Sequence, residues 1–135
     1  MSRYRTLSNK NKYYIPKEDY LTAIHYSRRH PLLLQELSVA ADTSKAIRYD
    51  KDKVQSCNDM DATSETAIRM TEITEKINPI DNTIHQAANG MDEWLRYGVC
   101  YGLTFNQLKS KGMPCERDMY YLMRRHYYFL LSKRI

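Results

Sequence analysis

Three observations predict an all-α fold. Gly and Pro number only four each in 135 residues, too few for the many turns of an all-β protein, while Leu, Ile, Met, Lys, Glu and Gln are plentiful. In the middle of the chain Met70, Ile73, Ile77, Ile80, Ile84, Ala87 and Met91 recur at steps of three and four, as one face of a helix requires. The last third, Tyr101 to Leu131, reads as two helices joined by a tight turn. About six helices are expected, with a long central heptad-patterned helix kinked near Pro79 and a C-terminal three-helix unit containing a helix-turn-helix.

Residues 1–15 are polar, basic and without period, the signature of a flexible arm. Residues 16–50 form a helical pair. Pro16 opens the first helix, which buries Tyr20, Leu21 and Ile24 and stops before Pro31, because the residue preceding a proline is pushed out of helical geometry. Leu32, Leu33, Leu34, Leu37, Ala40 and Ala41 carry the second. Residues 51–63 are rich in Asn, Asp and Ser and read as a linker, with a short strand at Lys53 to Gln55 as a weak alternative. The central helix takes residues 64–90. Asp61 or Thr63 caps it, Glu65 suits the positive end of its dipole, Glu72 and Lys76 form an i,i+4 pair, and Asn89-Gly90 closes it. Pro79 removes one hydrogen bond at about 3 kcal/mol. The helix therefore kinks there, or a new one starts at Pro79 with Asn78 as cap; the unbroken register favours the kink. The seam either pairs two copies in a homodimer through Met70, Ile73, Ile77, Ile80 and Ile84, or packs inside the chain against the N-terminal pair, the commoner arrangement within one domain.

Residues 91–135 make the helix-turn-helix module. A short helix from Asp92 to Tyr97 or Cys100 turns Trp94, Leu95 and Val99 inward and ends before Gly102. Thr104 then caps the next helix, with Gln107 completing a capping box and Leu103, Phe105 and Leu108 as apolar contacts. Gly112 closes it, and Pro114 falls at or near the first turn of the last helix. There Met119, Leu122, Met123, Tyr127 and Leu130 form the expected inward stripe, leaving Arg117, Tyr121, Arg124 and Arg125 on other faces. Glu116 and Arg117, in the first turn of a recognition helix, suit base edges: Arg pairs two acceptors on guanine and Glu accepts from cytosine N4. Tyr121, Arg124 and Arg125 suit phosphate, and Lys109, Lys111, Lys133 and Arg134 add sequence-independent attraction. The competing reading has the tyrosines fill a small aromatic core while the arginines merely solvate its outside.

Charge follows the same division. Net charge is +5 overall, yet residues 1–53 carry 11 Lys/Arg against 6 Asp/Glu, residues 54–108 carry 3 against 8, and residues 109–135 carry 7 against 2. Basic, tyrosine-rich ends suit phosphate contact. Other chemistry lacks its motifs. No phosphate-cradling loop, nucleophile elbow or H-E-x-x-H occurs, so no enzyme and no catalytic residue is expected. Cys57, Cys100 and Cys115 form no C-x-x-C pair, and His25 and His30 have no cysteine nearby, so neither a disulfide framework nor a metal site is expected. Asp59 to Ser64 begins like a calcium loop but lacks the glycine and the closing carboxylate. No run of eighteen apolar residues exists and no apolar h-region follows the basic N-terminus, so a cytoplasmic protein without membrane contact is expected.

The stretch YGLTFNQLKSKGMPCERDMYYLMRRHYYFLLSK, with looser likeness upstream through KVQSCNDMDATSETAIRMTEI, resembles small phage and prophage transcriptional regulators of the RinA/ArpU type, activators of late or structural operons. The likeness spans Tyr49 to Lys133. It implies a sequence-specific regulator that binds double-stranded DNA without a cofactor and contacts RNA polymerase. Where such proteins often carry Arg-Arg-Lys-Phe-Phe, this chain has Arg124-Arg125-His126-Tyr127-Tyr128, a less basic patch near neutral pH. Two rivals share the pattern: a phage-encoded protein-interaction inhibitor that blocks a nucleic-acid site or grips another protein, and a small terminase-like DNA-packaging subunit.

Overall fold

The computed structural model describes residues 12–51 and 57–135, with side chains over 12–43 and 64–135. Six helices and no strand occur among them: α1 (Lys17–Arg28), α2 (His30–Lys51), α3 (Cys57–Ala87), α4 (Asp92–Val99), α5 (Phe105–Ser110) and α6 (Arg117–Ser132). The strand considered at Lys53 to Gln55 and most of the basic arm lie outside the described residues. Helix α3 begins at Cys57, inside the segment read as linker. The chain divides into two compact units, one of residues 31–78 and one of residues up to His30 together with 79–135.

In the 31–78 unit, α2 and the first part of α3 bury Leu33, Ile73 and Ile77 together, with Leu37 packed alongside. Leu32, Leu34, Val39 and Ile68 remain exposed on it. In the other unit, Ile80 and Ile84 are fully buried with Ala23 and Ile24 of α1, Leu95 and Val99 of α4, and Tyr127, Tyr128 and Leu131 of α6. The heptad seam is therefore spent within the chain. Of the two arrangements open to the seam, Ile73, Ile77, Ile80 and Ile84 take the intramolecular one, packed within the chain.

Pro79 lies inside α3, which runs through it without a break. The Thr83 hydroxyl donates to the Pro79 carbonyl at 2.5 Å, a back-bond of the type that bends helices slightly. Close by, buried His30 meets Asp81 (Nε2 to Oδ1, 2.9 Å), and Arg96 of α4 approaches the same carboxylate at 3.5 Å. This cluster joins the start of α2 and the last turn of α4 to α3. Cys100 ends α4 in the core, where burial, only partly offset by Arg96, pushes its thiol up to about 12 and keeps it protonated.

Candidate nucleic-acid interface

The corner between α5 and α6 is fixed by local chemistry that the sequence spells out. Thr104 accepts a hydrogen bond from the Gln107 amide at 3.2 Å while the Gln107 side chain accepts from the Thr104 amide at 2.9 Å, completing the capping box. At the other end Gly112 takes φ +102°, a left-handed conformation that disfavours any residue with a Cβ. Its amide bonds to the Lys109 carbonyl and the Met113 amide to the Leu108 carbonyl, the paired bonds of a Schellman motif. The matching apolar contact is present, since Leu108 and Met113 share a core cluster with Cys115, Tyr120 and Met123. Pro114 belongs to this turn and not to the first turn of α6, which begins three residues later with Glu116 as N-cap.

Helix α6 is rotated from its expected register. Its buried residues are Tyr120, Met123, Tyr127, Tyr128 and Leu131, whereas Met119 and Leu122 stand 52% and 46% exposed and Leu130 is half-buried. The tyrosines take the inward side instead, each against a residue outside α6. Tyr120 lies against Gly98, where an added Cβ would come within 1.9 Å of its hydroxyl. Tyr127 shares a 2.7 Å hydrogen bond with the buried Ser27 hydroxyl of α1. Tyr128 packs edge-on against Tyr20 at 5.3 Å. Burial pushes the Tyr128 phenol up to about 12, although Arg124 opposes the shift. Tyr120, Tyr127 and Tyr128 thus fill an aromatic core, as the competing reading of the sequence has it, with Arg117 and Arg125 outside it.

The nine candidate residues sort into three groups. Lys109, Lys111, Glu116, Arg117 and Arg125 are exposed, at the end of α5, in the turn or on the first three turns of α6. Arg117 stands over the Phe105 ring at 5.6 Å, and Lys109 reaches back to the Met113 carbonyl at 3.3 Å. Tyr121 and Arg124 are half-buried and lean on each other: the Arg124 guanidinium is 5.8 Å from the Tyr121 ring and 5.7 Å from the Tyr128 ring. Such a caged guanidinium keeps its charge but has lost part of its freedom to follow a phosphate. Lys133 and Arg134 sit at the far end of α6, about 24 Å from Arg117 at 1.5 Å per residue. Lys133 covers the Phe129 ring at 4.0 Å, and Arg134 bonds to Thr83 at 2.8 Å and to Gln86. They tie the C-terminus to the core and do not join the first group.

Two features were absent from the sequence reading. Tyr13 stacks on His126 at 4.8 Å and tilts against Phe129 at 5.6 Å, covering the outer side of the second half of α6. Burial, and secondarily the Lys12 ammonium, hold the His126 imidazole below its usual range. The second is the exposure of Met119 and Leu122, which the sequence places on the inward stripe and which the tyrosines displace from it. No protein family, no curated protein and no solved structure matches the chain. No helix among the described residues is long and apolar enough to cross a membrane.

Proposed function

We propose that this protein is a sequence-specific transcriptional regulator of phage or mobile-element origin that acts in the cytoplasm, binding double-stranded DNA through the α5–turn–α6 corner. The observation that carries the reading is the open first half of α6. Exposed Lys111, Arg117 and Arg125 and half-buried Tyr121 surround a rigid, capped turn, which is how a recognition helix meets a major groove with its N-terminal residues. Arg117 and Glu116 take the base edges. Arg125 and Lys111 take phosphates, with Lys109 and Arg124 adding field but little reach. The test is a mobility shift at low salt on the DNA upstream of the protein's own gene. Binding there, a relaxed base preference in Arg117→Ala and uniformly weaker binding in Arg125→Ala support the reading. Absence of any shift, with Arg117→Ala and Arg125→Ala leaving biological activity intact, overturns it.

A protein-interaction role is the second reading, favoured by exposed Leu32, Leu34, Val39 and Ile68 on the 31–78 unit. Apolar side chains gathered on one small unit suit a protein surface. Under the regulator reading that surface serves a protein such as RNA polymerase. Under the inhibitor reading it is the whole of the function, and DNA binding is absent.

A further inference from the structure

We infer that Met119 and Leu122 read the 5-methyl groups of thymine, so that the site bound by α6 carries thymine opposite its first two turns. The inference rests on the DNA-binding reading and deepens it. Both side chains are about half exposed although the same helix buries three tyrosines, so their position is not a shortage of core. They lie three residues apart and share a face of α6, within two turns of exposed Arg117 and Arg125. The next residues along that side, His126 and Phe129, are covered by Tyr13. Along this side the uncovered apolar surface is thus confined to the first half of α6. Two isolated side chains are too small a patch for a stable protein interface, and cations flank them where a polyanion would lie. In the major groove the thymine methyl is the one apolar feature of an unmodified base pair, and apolar side chains recognise it by contact. Asp118, exposed between Arg117 and Met119, disfavours phosphate at this point and accepts from cytosine N4, which directs the strip toward base edges and away from the backbone.

The experiment starts from duplexes selected by the wild-type protein from a random-sequence pool, with each thymine then replaced singly by deoxyuridine. That exchange removes a methyl and leaves every hydrogen bond in place. Binding should weaken about fourfold at one or two thymines, the effect of one buried methyl. Met119→Ala and Leu122→Ala should weaken binding to the thymine duplex by a similar factor and abolish the thymine-to-uracil difference, with unchanged thermal unfolding. Arg125→Ala should weaken both duplexes equally. Selected sites without thymine, or equal binding of thymine and uracil duplexes together with unaltered affinity in Met119→Ala and Leu122→Ala, overturn the inference while leaving DNA binding standing. Failure to select any duplex removes the DNA-binding reading and this inference with it.

Discussion

The two halves of α6 use the same residue types for opposite ends. From Arg117 to Arg125 the helix buries only Tyr120 and Met123 and leaves arginine, methionine and leucine outside. From His126 to Ser132 it is enclosed: Tyr127, Tyr128 and Leu131 are buried and Tyr13 covers His126 and Phe129, while Arg134 just beyond it is bonded to α3. An arginine or tyrosine in this helix therefore has no fixed meaning by type. Its meaning comes from which neighbours reach it, and substitutions in the two halves should fail in different assays.

The largest effects belong to the enclosed half. Tyr127→Ala should lower the unfolding free energy by about 3–5 kcal/mol, read from urea unfolding, because it removes a buried ring and its hydrogen bond to Ser27. Loss below about 1 kcal/mol would mean that the ring is not a core element. Beneath the first half, Gly98→Ala of α4 drives a methyl into the Tyr120 hydroxyl and should cost about 1–3 kcal/mol. Adding Tyr120→Phe should recover part of that loss, since the clashing atom is then gone; additive losses would contradict the contact.

A pair of arginines separates the halves more sharply. Arg134→Ala should destabilise the fold by about 1 kcal/mol through its lost bonds to Thr83 and Gln86, with no change in the salt dependence of DNA binding. Arg125→Ala should do the reverse, shifting stability by no more than about 0.5 kcal/mol while reducing the slope of log affinity against log salt by about 0.9. Exchange of those two outcomes would invert the assignment. The smallest effect concerns His126. Because its folded-state pKa is lowered by burial first and Lys12 second, the unfolded chain takes up the proton first as pH falls through about 6.5. Stability should decline from there until the folded form also protonates. His126→Gln should flatten that segment of the pH profile; an unchanged profile would mean that Tyr13 does not enclose the ring.

Much of this fold was legible because helix ends and turns are local. The Thr104–Gln107 box and Gly112 each act within a few residues, and an isoleucine seam at helical spacing needs only a helix to become a stripe. What could not be read was partner choice. Tyr120, Tyr127 and Tyr128 offered one buried stripe for α6 and Met119, Leu122 and Leu130 another, and the decision came from Gly98, Ser27 and Tyr20, all distant in sequence. The same non-local contacts sorted the candidate site. Arg124 and Arg125 are adjacent in sequence, yet one is caged between tyrosines and the other is free in solvent, since neighbours on a helix point about 100° apart.

The central claim, that the first half of α6 is the surface offered to DNA and the second half is not, is tested most directly by backbone amide chemical shifts during titration with a selected duplex. The account predicts the largest perturbations at Lys111, Arg117, Met119, Tyr121, Leu122 and Arg125, with little change from His126 to Arg134. Perturbations concentrated in the second half of α6 or in residues 31–78, with the first half silent, would contradict it.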